Sequence, residues 1–393
     1  MTMRPIAIGL AAIVLALQWP FLQHERADAK LANFYSQMAA ARFGEARESI
    51  DEAIRLWPSN ARYYSWRAYC ESQQLPSQCP RRRQNGSAAL SEEDHQSASE
   101  AAGDYRRSLL LSNRDAVAHH NLAWLEHLLD DNVTADKDWA EAVQLDPNNP
   151  VFHLSYGMFQ EEIGNADAAK QQYEAAIELS PSILDSQFFI RYRARSAATA
   201  ESFVADCVSK TESKLRDGRD PVLEARLGKL YLYSGDLQRA EALLKDAAVQ
   251  LPNLSLLWFN LGEVYAGQGD SSQAALCYRK VMTLNPSLPQ PYLRAGESNL
   301  QSGDRNAALQ NLNLAVQRWQ HMSPITAAHN SRLYGGPRQT IDDLLPTTLV
   351  WFTSPCVASE AWRGFSELFP QKSEYAKRAR TCEQLPAPHS EFD

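Results

Sequence analysis

The residues best placed to do chemistry are His119, His120 and His127, the densest ionisable cluster in the sequence. His120 and His127 lie seven positions apart and share one helical face, with Trp124 between them. A zinc site needs further ligands and an outer shell of hydrogen bonds to orient them. Glu126-His127 lacks the first histidine of a His-Glu-x-x-His helix. The expectation is ordinary packing or peptide contact, with no metal and no cofactor. No Gly-x-Ser-x-Gly elbow and no Gly-Lys-Ser or Gly-Lys-Thr phosphate loop occurs. Asp130 with Asp131, and Glu161 with Glu162, are acidic pairs of the kind that sit at helix ends or on exposed faces. No catalytic residue is therefore assigned. A metal-dependent enzyme built on the histidines stands last among the alternatives.

The elements that position these residues are written as a repeat. Leu227, Gly228, Tyr231, Gly235, Ala240, Leu244, Ala247 and Pro252 recur 34 positions later as Leu261, Gly262, Tyr265, Gly269, Ala274, Tyr278, Val281 and Pro286. A fixed period of this size means stacked supersecondary units, each unable to bury its apolar face alone. Trp258, Leu261, Gly262 and Tyr265 follow a helical step, and Gly269 suits the turn that ends the helix. Asp270 can cap a second helix, which Pro286 stops.

The combination Trp258-x-x-Leu261-Gly262-x-x-Tyr265, Gly269, Ala274, Tyr278 and Pro286 resembles the tetratricopeptide repeat. Weaker copies extend the resemblance over roughly 31–320, through Tyr156, Gly157, Tyr173 and Pro181 and through Leu122, Ala123, Trp139 and Pro147. It implies an all-α, right-handed superhelical solenoid of antiparallel helix pairs. Two interruptions stand out. An insertion at 74–96, rich in Pro, Gly and polar residues, reads as a loop, either a tolerated surface excursion or part of a functional face. It delays the partner of the helix around Arg62–Glu71 to about Ala101–Leu111, and a degenerate unit occupies 182–220.

In solenoids of this kind the first helices of successive units line the concave side. Positions unused by the packing pattern there are His120, Asn121, Trp124, Arg226, Lys229, Tyr233, Phe259, Asn260, Glu263, Arg294 and Glu297. In the resembled family, asparagines at the Asn121 and Asn260 positions contact a peptide backbone, as an amide that donates and accepts at once is suited to do. Arg226 and Arg294 can grip a carboxylate. The family's basic clamp for acidic C-terminal peptides is incomplete here, because Glu263 and Glu297 oppose it. A protein or peptide partner is expected.

A net charge of −8 argues against nucleic acid as a ligand, and Arg81, Arg82 and Arg83 read as a solvated loop. Residues 1–23 carry an uninterrupted apolar run, Ile6 to Leu17, behind Arg4. This segment reads as a single-pass membrane anchor, with a cleaved export signal as the alternative. The repeats would then lie in the periplasm, on the outer side of a bacterial inner membrane. Cys70 with Cys79, and Cys356 with Cys382, are disulfide candidates in that setting; the other reading is four small buried residues. Residues 321–385 read as a helical cap and 386–393 as a tail. The function expected from all this is a non-catalytic interaction scaffold. The alternative is an accessory subunit of a complex that builds envelope polysaccharide or outer membrane.

Overall fold

The structure, a computed structural model, describes residues 22–38, 42–75, 90–216, 218–288 and 290–321. The apolar run at Ile6–Leu17, the expected cap from 322 onward, the tail, and Cys79, Cys356 and Cys382 lie outside these residues. Among the described residues every regular element is a helix. No described helix is long and apolar enough to cross a membrane.

The chain divides into two compact units, Met1–Pro147 and Asn148–Asp393. The first contains α1 (22–38), α2 (Phe43–Leu56), α3 (Ala61–Ser72), α4 (Glu92–Leu111), α5 (Ala116–Leu128) and α6 (Asn132–Leu145). The second contains α7 (Pro150–Glu162), α8 (Ala166–Leu179), a 3₁₀ turn (Pro181–Asp185), α9 (Gln187–Arg195) and α10 (Ala197–Arg216). It continues with α11 (Pro221–Ser234), α12 (Leu237–Gln250), α13 (Ser255–Gly267), α14 (Ser271–Leu284), α15 (Gln290–Gln301) and α16 (Arg305–His321).

The α13–α14 pair shows how the sequence makes the repeat. Leu257, Leu261, Val264 and Tyr265 are buried along α13. Burying each such side chain contributes about 1.5–3 kcal/mol. Gly269 ends the helix at φ +82°, a conformation that a side chain disfavours. The turned backbone then lets Asp270 N–H donate to the Tyr265 carbonyl at 2.9 Å. The Asp270 carboxylate in turn accepts from the Gln273 N–H at 3.0 Å and starts α14. In the first unit Asp130 takes the same turn position at φ 67°.

A second device joins one pair to the next. Trp258 Nε1 donates to the carbonyl of Pro252 at 2.8 Å, and the Tyr292 hydroxyl donates to that of Pro286 at 3.2 Å. The Tyr64 hydroxyl does the same to Pro58 at 3.1 Å. In each case the aromatic residue lies six positions after the proline that closed the preceding helix. The freed carbonyl at the helix end thus finds a donor on the following element.

Two boundaries differ from the sequence reading. Helix α1 already includes residue 22, well before Leu31, and buries Ala27 and Phe34 completely. Helix α4 begins at Glu92, inside the stretch expected to be loop. Ser91 caps it by accepting from the Asp94 N–H at 3.0 Å, and Glu92, Glu93 and Asp94 suit the positive end of the helix dipole. The degenerate region holds a shortened helix, α9, followed by α10. Aromatic packing substitutes for the repeat pattern there. Tyr173 meets Phe188 at 5.3 Å and Phe203 at 5.9 Å between ring centroids, and Tyr192 meets Phe203 at 5.8 Å.

Cys70 is buried with its sulfur 3.5 Å from the Phe43 carbonyl, and its candidate partner Cys79 lies outside the described residues.

Candidate functional site

In the second unit, α11, α13 and α15 carry the same two helix positions in succession. Arg226, Asn260 and Arg294 occupy one, and Lys229, Glu263 and Glu297 the other, each set at the 34-residue interval. Of these six, Lys229, Glu263 and Arg294 line a cleft of about 720 Å³. Leu184, Ile190, Leu232, Tyr233 and Phe259 supply its apolar wall. Three cations, Arg193, Lys229 and Arg294, line it together with three carboxylates, Asp185, Glu201 and Glu263, so its charges balance.

Several of these groups are held in place by one another. Lys229 is 5% exposed and its Nζ lies 2.6 Å from Asp185 Oδ2 in the 3₁₀ turn. Glu263 accepts from the Tyr278 hydroxyl at 2.6 Å. Arg294 reaches Glu263 with Nε at 3.4 Å and Glu297 with Nη1 at 2.8 Å. Burial first, and then the Glu263 carboxylate, push the Tyr278 phenol far above its ordinary value, so it remains a donor. The Arg193 guanidinium stacks 5.0 Å from the ring centre of Tyr233.

Other polar atoms on this face lack a partner within the protein. They are Arg226 Nε, the Tyr233 hydroxyl and Asn260 Oδ1. Burial lowers the pKa of Arg226, opposed by Asp220. Burial raises that of Tyr233, opposed by the charge of Arg193. Unpaired buried donors and acceptors carry a desolvation penalty of about 1–3 kcal/mol each, which a ligand supplying hydrogen bonds would relieve.

The eleven groove positions differ in exposure. Phe259, Asn260 and Lys229 are almost fully buried, because α13 packs on α11, α12 and α14, and α11 also meets the 3₁₀ turn. In the first unit, His120 is 2% exposed and its Nδ1 lies 3.1 Å from Asn121 Oδ1. Asn121 Nδ2 donates to the Tyr105 hydroxyl of α4 at 3.0 Å. Trp124 packs edge-on against Trp139 at 5.1 Å, where His127 also lies 6.4 Å from the Trp124 ring. These three positions serve the first unit's own packing, since α5 is covered by both α4 and α6. Among the described residues, no group of three or more His, Cys, Asp or Glu side chains gathers where it could hold a metal ion.

Arg193 and Ile190 were missed by sequence reasoning because the region around them departs from the repeat. Asp138 was missed as well. It approaches His119 at 2.5 Å from a position 19 residues on, the same offset that joins His153 to Gln172 at 2.7 Å.

The paired helices, their glycine turns and the recurring face define a helix-pair repeat protein. Tetratricopeptide-repeat family profiles match residues 31–74, 152–183 and 255–288, so the chain carries tetratricopeptide repeats. Among solved structures the chain is similar to a tetratricopeptide repeat protein from Parabacteroides merdae ATCC 43184, with 16% identity over 82% of this chain and 99% of that one, at a TM-score of 0.35. It is also similar to MamA, with 16% identity over 51% of this chain and 95% of that one, TM-score 0.26. A third is YrrB, a TPR protein with an unusual peptide-binding site, with 16% identity, coverage of 59% and 99%, and TM-score 0.26. No curated protein matches the chain.

Proposed function

We propose that this chain is a non-catalytic scaffold that captures a peptide segment or a helix of a partner protein on the α11–α13–α15 face. One observation carries the reading: Arg226 Nε, the Tyr233 hydroxyl and Asn260 Oδ1 are buried without partners on the face that bears the cleft. A polypeptide supplies both carbonyl acceptors for the first two and N–H donors for the third. Tyr233 offers apolar area to an anchoring side chain. The apolar run Ile6–Leu17 behind Arg4 supports a place on the extracytoplasmic side of a bacterial membrane, tethered or released after cleavage.

The test is selection from a displayed library of random peptides, followed by affinity measurement on the best binders. Arg226→Ala and Tyr233→Phe each weaken the selected peptides by about tenfold, while the helical circular dichroism signal is unchanged. Peptides that bind equally well to both variants overturn the assignment of this face. Sequencing the mature N-terminus in membrane and soluble fractions tests the location separately.

A further inference from the structure

Four ionisable side chains meet where α4, α5 and α6 pack in the first unit. Glu126 is fully buried, and its Oε1 accepts from Arg106 Nη2 at 2.9 Å. Its other oxygen, Oε2, has no donor within the protein. Asp138 of α6 lies within hydrogen-bonding reach of Glu126. Asp138 also holds His119 Nδ1 at 2.5 Å, with both side chains 14% exposed. The backbone of Asn113 hydrogen-bonds to His119, and Glu141 adds negative charge near the ring.

Two carboxyl groups this close cannot hydrogen-bond when both are ionised, because neither has a proton to donate. A proton on Glu126 supplies the donor that a hydrogen bond to Asp138 needs. We propose that Glu126 and Asp138 hold a single proton between them, and that its release loosens α5 from α6, making the first unit a pH-sensitive element.

The direction follows from the surroundings. Burial first, then the hydrogen bond and charge of Asp138, push the Glu126 carboxyl up to about 7, against the pull of Arg106. For His119 burial favours the neutral ring, but the Asp138 hydrogen bond and charge outweigh it and raise its pKa. Both groups bind a proton more tightly in the folded unit than in the unfolded chain. Their stabilisation is complete below the unfolded values and is lost as pH rises through the folded ones. Above that range Asp138 and Glu126 face each other with only Arg106 to compensate.

Hydrogen exchange on the full chain, corrected for the intrinsic pH dependence, reads this directly. Protection of α5 and α6 falls about tenfold between about pH 6 and about pH 8, while α13 and α14 provide the internal reference. Glu126→Gln, which keeps a donor at that site, flattens the profile. Asp138→Asn moves the transition to lower pH. Difference infrared spectroscopy on the unaltered chain shows a protonated carboxyl that disappears over the same range, which tests the shared proton even if a variant fails to fold. A Glu126 ionised throughout, or a Glu126→Gln profile identical to that of the unaltered chain, overturns the proposal.

Discussion

A Cβ built on Gly262 falls 2.6 Å from Cε1 of Tyr278, closer than relaxed carbon atoms approach. The ring occupies the space that any other residue would need, and the same fit recurs at Gly228 with Leu244, where the separation is 2.7 Å. Gly262→Ala therefore destabilises the second unit by about 1–3 kcal/mol, even though alanine favours a helix. Chemical denaturation measures the loss. In a Tyr278→Ala background the same change costs nothing, and the cycle reports the clash as coupling.

Gly269 gives a different kind of prediction, because open space surrounds it and only its φ of +82° is demanding. Gly269→Ala lowers stability by roughly 1–2 kcal/mol through backbone strain alone. Gly269→Asn costs less, as the natural Asp130 at φ 67° indicates. Thermal unfolding of the two variants ranks them.

The indole-to-proline link can be cut without removing the ring. Trp258→Phe abolishes the 2.8 Å bond to Pro252 and lowers stability by about 0.5–1.5 kcal/mol. Exchange at the start of α13 rises, whereas α15, held by Tyr292 and Pro286, is unaffected.

Glu71 supplies a pH dependence of its own. It is 4% exposed, and burial pushes its carboxyl up to about 7 despite Arg47 at 3.0 Å. Because the folded value is the higher one, its contribution is present below the ordinary value of 4.5 and is lost as pH rises toward about 7. Glu71→Gln reduces the fall in the first unit's melting temperature across that interval. An unchanged slope would contradict the assignment.

Three thiols report opening. Burial pushes Cys70 and Cys207 up to about 12 and Cys277 up to about 11. Alkylation near neutral pH is slow at all three in the folded chain and fast after denaturation. Peptide mass spectrometry follows each site separately.

The 34-residue spacing made the pairs legible because close packing demands a small residue at Gly262, a bulky one at Tyr278 and a positive φ at Gly269. These requirements are local and leave a mark in the amino-acid types. The start of α4 was equally readable from Ser91 and Asp94, but the polar composition around them outweighed the capping signal. The face was harder. The repeat pattern leaves Asn260 and Lys229 unused by their own pair, yet both are covered by elements from neighbouring pairs. No single-repeat pattern records such neighbours. The cleft's far wall, with Ile190 and Arg193, comes from the degenerate 182–220 region, where an aromatic cluster sets the geometry.

Arg226, Asn260 and Arg294 stand at one station on the first helices of three successive pairs, while the glycines and prolines that shape those helices stand elsewhere. In the proposed reading, ligand selectivity and foldability are written in separate columns of the same period, so exchanging a guanidinium for an amide on one helix leaves the neighbouring turns undisturbed.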